Sequence, residues 1–343
     1  MGPGGHAHTI WGPMMNPPPG HIRTNGMIIT KVWSLRPEVA RDFARRFPGV
    51  QVVEEIWDLV GTVDGVFLDD VNAVSLYHLI ARPFLEAGMP TFVNRPFATS
   101  LEKGRDMVER AERSGAPLLS ASTWEFSESV GDLRAKVAEL GDIKGYVAHN
   151  SMSDFYTHGI HGVWYVHAVM RDEMRKGRGR VRSAAYLTED WRTPNGVVIY
   201  EHEAPGGPYY GSLLEVQGAD GNAYIRVFGD GKDVEGKIPA RPGYFLYNTW
   251  NALLLAVQEM IETKASPQTG EDLLEKLTMF LMPFRSALER GGAPVSREEI
   301  EGWELPPPTA ELKKNGQPTD IAFRNPYTLE ELERAEKLLC SSY

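Results

Sequence analysis

The stretch PTFVNRPFATS, residues 90 to 100, reads as a buried strand that ends in Asn94, Arg95 and Pro96 before a helix opens. In α/β sheets ligands gather beyond the carboxyl ends of strands, so a guanidinium there is placed to orient or polarise one. It does not shuttle protons, because arginine holds its own to a pKa above ~12. Histidine exchanges protons near neutral pH, and His158 and His161 stand at the start of an apolar helical segment. Their spacing of three suggests a metal pair, but no third ligand lies nearby and no metal is expected. Gly2, Gly4 and Ala7 fit G-x-G-x-x-A, a turn that lays pyrophosphate on a helix N-terminus. Such a motif follows a strand, and only Met1 stands before it. Either the chain as given starts too late, or the central strand of the sheet is missing, or GPGG is simply a flexible terminus. Loss of that strand would leave its two neighbours unpaired along one edge, a cost in a parallel sheet.

These residues need elements to hold them. Through residue 140 strand and helix patterns alternate: GMIITKVWS then RPEVARDFARRF, with Pro37 in the first turn, and VDGVFLDD then LYHLIARPFLEAG, ending at Gly88. MPTFVNRP is followed by a helix that Thr99 and Glu102 are expected to cap as a box and Gly115 to end, and then by APLLSAS. The alternation predicts a doubly wound parallel sheet. Beyond 140, five strand patterns follow one another, with helices at 161–176 and 247–264, predicting an α+β domain with a large open, mostly antiparallel sheet. The expected division is 1–122, 123–300 and a C-terminal strap with a short helix, 301–343, whose helix starts at Thr328 with Glu331 completing its cap.

With 343 residues, 42% hydrophobic and 24% charged, the chain can bury two full cores. A formal charge of -10 argues against nucleic acid or an anionic membrane as partner. One cysteine, Cys340, excludes an internal disulfide. No apolar run reaches the roughly 18 residues that span a bilayer, and no signal peptide is seen, so a cytoplasmic location is expected.

The order DGVFLDD, LEAGMPTFVNRPFATSLEKGRDMVERAERSG, GDIKGYV, YTHGIHGVWYVHAVM and EDLLEKLTMFLMPFRSALERGGAPV resembles the glucose-fructose oxidoreductase, inositol dehydrogenase and MocA (Gfo/Idh/MocA) family. The resemblance implies a Rossmann domain, a C-terminal open sheet for substrate and oligomer contacts, and NAD(P)-dependent oxidation of sugars or polyols. It implies that His161 is the base that removes the hydroxyl proton as hydride leaves carbon. Two positions depart from the family. Asn94-Arg95-Pro96 stands where Glu-Lys-Pro is usual, so Arg95 keeps the charge without the proton transfer. Thr157 stands where an aspartate is common four residues before the histidine. At the end of the second family strand, Ser34 and Arg36 replace the usual acidic residue and favour the 2′-phosphate of NADP over NAD. Asp69 and Asp70, at the end of the next strand, lie near the expected nicotinamide ribose, although adjacent carboxylates there also suit a turn and helix cap. Asn94, Arg95 and Pro96 are expected at the cofactor.

Asp154, Tyr156, His158 and Trp124 are candidates for the substrate pocket, since sugar faces stack on aromatic rings while the hydroxyls need polar partners. A homodimer or homotetramer would cover the apolar face of the open sheet. The expected function is NADP- or NAD-dependent oxidation of a sugar-like alcohol. A member without redox chemistry, serving as a ligand-binding or partner subunit, and a cofactor-retaining lyase or glycosidase remain alternatives.

Overall fold

The structure, a computed structural model, describes residues 5–21, 23–151, 154–193, 195–216, 223–238, 249–309 and 326–341. The first third alternates as its pattern requires. Helix α1 runs from Ala7–Trp11 into Gly12–Met15, followed by β1 (Lys31–Val32), α2 (Pro37–Arg46) and β2 (Gln51–Val52). Then come β3 (Val66–Leu68), α3 (Tyr77–Glu86), β4 (Thr91–Val93), α4 (Leu101–Ser114) and β5 (Leu118–Leu119). Pro37 sits in the first turn of α2, which buries Val39, Ala40 and Phe43. Ser100, not Thr99, caps α4, accepting from Lys103 N–H, and Gly115 ends it in the left-handed region at φ 73°. The Thr99 hydroxyl instead donates to Glu304 at 2.7 Å; the better capping geometry falls one residue later because Thr99 is committed to a tertiary contact.

All pairings here are parallel, but they form two separate sheets, β1-β2 and β3-β4-β5. No strand lies between β1 and β3 among the described residues. A cavity of about 850 Å³ occupies that position, lined on one side by residues 26–33 and on the other by 61–70.

The remainder is an α+β unit around a seven-stranded mixed sheet. Its strands are β6 (Gly145–Ser151), β7 (Val181–Thr188), β8 (Asn195–His202), β9 (Tyr209–Val216), β10 (Ala223–Phe228), β11 (Asp233–Ile238) and β12 (Val295–Ser296), in the order β11-β10-β6-β9-β8-β7-β12. Only β6-β9 is parallel. The sequence pattern anticipated neither β11, with its alternating polar residues and Gly236, nor the two-residue β12. Its helices are α5 (Glu128–Val137), α6 (Ile160–Arg175) and α8 (Gly270–Glu289), whereas α7 (Asn251–Thr263) buries Leu253, Leu254, Val257 and Met260 in the cluster that holds Ala7, Trp11 and Phe43 of the first third. One face of the sheet packs against α6 and α8, as where Tyr200 O–H donates to the Met279 carbonyl at 2.9 Å. The other leaves Val147, Ile199, Tyr210, Leu214 and Val216 exposed.

The C-terminal segment returns to the first domain. Leu305 N–H donates to Thr99 O at 2.8 Å, and Arg105 pairs with Glu301. Helix α9 (Leu329–Ser341) starts at Thr328 with the expected reciprocal cap: Thr328 N–H donates to Glu331 and Glu331 N–H to Thr328 Oγ1. No helix among the described residues is long and apolar enough to cross a membrane.

Candidate active site

The parallel strands end in residues that carry chemistry. Beyond β3 come Asp69 and Asp70, beyond β4 Asn94, Arg95 and Pro96, and beyond β5 Ser120 and Ser122. This is the edge where a doubly wound sheet holds ligands.

Asp69 is fully buried at the start of α1. Its Oδ2 accepts the Ala7 N–H at 2.6 Å, and its Oδ1 accepts from Asn94 Nδ2 at 2.8 Å. His6 Nδ1 lies 3.1 Å from the same Asn94 nitrogen, and its ring packs edge-on against Trp250. Burial pushes the Asp69 carboxyl up to about 7, opposed by the Ala7 hydrogen bond, while Asp70 raises it further and the buried Arg95 guanidinium pulls it down. The carboxylate thus stands on the helix N-terminus, the seat favourable to any anion. Asp70 is also buried and raised by burial. Its side chain accepts from Asn72 N–H at 3.3 Å and from Tyr327 O–H at 2.6 Å.

Arg36 is engaged within the chain. It forms a forked pair with Glu331 at 2.9 to 3.2 Å, donates to Pro326 O and lies 4.3 Å from the Tyr327 ring centre. At Arg36, expected at a 2′-phosphate, the C-terminal segment supplies the planar carboxylate that a guanidinium fork prefers. Ser34 is buried and accepts from Arg36 N–H at 3.3 Å. Gly2 and Gly4 lie outside the described residues.

A second cluster surrounds His161, buried at the start of α6. Its Nδ1 is 2.6 Å from Ser122 Oγ, and the Trp124 ring lies beside it at 5.2 Å between centres. Ser122 is itself held, because Glu125 accepts its N–H at 2.7 Å and Lys276 of α8 pairs with Glu125 at 3.2 Å. Both partners of that buried pair are pushed toward neutrality, Glu125 upward and Lys276 downward, chiefly by burial. Asp154 caps the turn Phe155–Gly159, accepting from Thr157 N–H at 2.7 Å and from the Thr157 hydroxyl; that hydroxyl lies 3.4 Å from His158 Nδ1. Asp154 thus holds Thr157, the residue that stands where the family commonly has an aspartate. His158 is 6.0 Å from His161 ring to ring.

Trp124 and Tyr156, candidates for a substrate pocket, are fully buried. Tyr156 packs against Trp191, Phe280 and Phe284, so its ring belongs to the core, where large aromatic area is best removed from water. Among the described residues no group of three or more His, Cys, Asp or Glu is placed to hold a metal.

Sequence reasoning overlooked Tyr77, Asn72, Ser120 and Thr123. Each has a buried side-chain polar atom without a hydrogen-bond partner among the described residues: the Tyr77 hydroxyl, both Asn72 amide atoms, Ser120 Oγ and Thr123 Oγ1. Tyr77 joins the two clusters, since its hydroxyl feels Asp69, Asp70, Tyr156 and Arg95, with burial raising it most. Orphaned buried polar atoms are costly. Their collection at these strand ends fits a polar ligand. Ser122 was missed although Ser-Thr-Trp-Glu, residues 122–125, is a capping-box pattern that the structure realises.

Comparison with known proteins agrees with this arrangement. Residues 2–122 match the model of an oxidoreductase family with an NAD-binding Rossmann fold, GFO_IDH_MocA. The chain is 22% identical over 122 residues, 35% of its length, to scyllo-inositol 2-dehydrogenase (NADP(+)) IolU of Bacillus subtilis (strain 168). It is 22% identical over 120 residues to the uncharacterized protein YMR315W of Saccharomyces cerevisiae. These matches span 37% and 34% of the two relatives. The fold extends further. Myo-inositol dehydrogenase from Lactobacillus casei, solved with NAD(H) and myo-inositol, superposes with a TM-score of 0.66 at 12% identity, over 91% of this chain and 94% of that one. GenD2 from gentamicin A biosynthesis, solved with NAD, gives 0.62 at 17% identity over 79% and 89%.

Proposed function

We propose that this chain, whose residues 2–122 match the model of the GFO_IDH_MocA oxidoreductase family, is an NAD(P)-dependent dehydrogenase of a sugar-like or cyclic polyol alcohol. One observation carries the reading: His161 is fixed through Nδ1 by Ser122, beside the carboxyl ends of parallel strands that also carry Asn94 and Arg95. The bound nicotinamide would supply the hydride acceptor. The N-terminus of α1, Ser34, Asn94 and Arg95 would hold the dinucleotide, and the orphaned polar atoms of Asn72, Tyr77, Ser120 and Thr123 favour a polar ligand there. In the tautomer that donates Nδ1–H to Ser122 Oγ, the Nε2 of His161 takes the hydroxyl proton. Arg95 stays charged and orients the alcohol. Asp154, acting through Thr157, fixes the turn that leads into α6. The domain boundaries near 122 and 300 are part of this reading, as is a homo-oligomer that covers the exposed sheet face.

Binding of a pyrophosphate requires Asp69 to give up its charge or its position, since a carboxylate already serves the α1 N-terminus. Its elevated pKa makes protonation near neutral pH inexpensive. A second reading is favoured by that same carboxylate and by the Arg36–Glu331 pair: a member that binds a ligand without redox chemistry. Titration with NADPH and NADH, followed by nicotinamide fluorescence at about pH 6 and about pH 8, separates the two. Binding that strengthens at the lower pH supports the dehydrogenase. Failure of both nucleotides at either pH favours the second reading.

A further inference from the structure

The outer edge of β5 is fastened to α8 by side chains. Pro117 O serves β4 by accepting the Thr91 N–H, so the alternation of an extended chain aims Leu118 O and Ser120 O away from the sheet. Ser266 Oγ, in the loop ahead of α8, donates to Leu118 O at 2.7 Å, and Lys276 Nζ of α8 donates to Ser120 O at 2.5 Å.

Lys276 is fully buried, and an ammonium has three protons to place. Besides Ser120 O, it reaches Gln268 Oε1 at 2.9 Å and the Glu125 carboxylate oxygens at 3.2 and 3.3 Å. Its nitrogen also stands 4.3 Å from the centre of the Trp164 ring, within cation–π range. Glu125 is held in turn, since it accepts from Gln268 Nε2 at 2.8 Å and from Ser122 N–H at 2.7 Å. Three acceptors and one ring face leave the ammonium a single orientation.

That orientation touches both elements that carry the candidate base. On the β5 side, Glu125 fixes the Ser122 backbone, and Ser122 Oγ accepts the Trp124 N–H at 3.3 Å. On α6, Trp164 stands three residues after His161, one turn along the same face. The far end of α6 is also gripped by α8, where Arg175 makes a forked pair with Asp272. The 2.6 Å contact between Ser122 Oγ and His161 Nδ1 therefore bridges two elements that Lys276 joins. A buried ion pair is a poor source of stability, because apolar side chains of the same volume do as well or better. What a fully satisfied polar network adds is a fixed arrangement.

Resting on the reading of His161 as the base, we propose that Lys276 is its positioning residue: by joining the end of β5 to α6, it holds Ser122 and His161 together and keeps the imidazole proton on Nδ1.

The test reads the His161 tautomer by imidazole nitrogen NMR of the free, histidine-labelled protein, with the signal assigned by its loss in His161→Asn. The native protein should show one form, protonated on Nδ1. Lys276→Met should show a mixture of both tautomers, and its kcat should fall by roughly tenfold or more with the KM for nucleotide unchanged. A lysine with a merely structural role would lower the melting temperature and leave the tautomer as it was. If Lys276→Met does not fold, the double variant Glu125→Gln/Lys276→Met, which leaves no unpaired buried charge, gives the reading instead. A mixture in the variant that is absent from the native protein supports the proposal. A single Nδ1-protonated form in the folded variant overturns it, as does a native protein that does not carry its proton on Nδ1. The tautomer needs neither nucleotide nor turnover, so a native protein that shows it and oxidises no alcohol would refute the dehydrogenase reading alone.

Discussion

Replacing Asp69 with asparagine tests the electrostatics of the strand ends directly. Burial raises this carboxyl from 3.8 to about 7. At 1.36 kcal/mol per unit, the shift is worth about 4 kcal/mol. The folded state holds the proton more tightly than the unfolded chain. The group's contribution to stability is therefore fully present below about pH 4 and is lost as pH rises through about 7. Between about pH 5 and about pH 8 the native protein should lose about 2–3 kcal/mol from this one group. Asp69→Asn abolishes that loss. It can accept from only one of Ala7 N–H and Asn94 Nδ2, leaving the other donor short at a cost of about 1–3 kcal/mol. The variant should therefore be no more stable than the native protein at the acid end and more stable at the alkaline end. It should also bind NADPH more tightly above neutral pH. Removing a unit charge about 6 Å from a phosphate, at an effective dielectric of ~20, relieves about 3 kcal/mol, or on the order of a hundredfold in Kd. Urea unfolding and nucleotide titration across the same pH range read both effects. A stability difference between variant and native protein that does not change with pH would refute the reasoning.

Glu331→Gln should loosen the forked pair on Arg36 and raise the preference for NADPH over NADH by several-fold to about tenfold, measured as a ratio of Kd values. Arg95→Lys supplies an amine that can exchange a proton; turnover should rise, and an unchanged or lower rate counts against the reading that proton transfer is limited by the lack of an amine at this position. Leu214→Arg places a charge on the exposed sheet face and should shift the protein toward monomer in sedimentation while leaving its melting temperature nearly unchanged. Lys276→Met removes the cation beside the buried Glu125 and should cost about 3–5 kcal/mol in unfolding measurements.

Local chemistry was legible in the sequence where it depends on neighbours in the chain. Strand and helix alternation, Pro37 opening α2, Gly115 closing α4 and the Thr328–Glu331 cap all follow from residues a few positions apart. The shift of the α4 cap from Thr99 to Ser100 shows the limit, because both residues suit a cap and a distant contact with Glu304 decided between them. The site was legible in part. Arg95, Asn94, Asp70 and His161 do lie by the strand ends, but their partners come from far along the chain: Tyr327 reaches Asp70 across 257 positions and Glu331 reaches Arg36 across 295. Nothing in Arg36's own surroundings signals that its charge is taken. The cap that Asp154 places on Thr157 could be read from neighbours in the chain, whereas the Ser122 partner of His161 comes from 39 positions away.

The most direct test of the account follows nicotinamide absorbance with NADP and a panel of cyclic polyols and aldoses, comparing the native protein with His161→Asn. The account predicts nicotinamide reduction by at least one polyol, and for the variant a kcat lower by on the order of a hundredfold or more with nucleotide affinity unchanged. Equal turnover by the two proteins would contradict it.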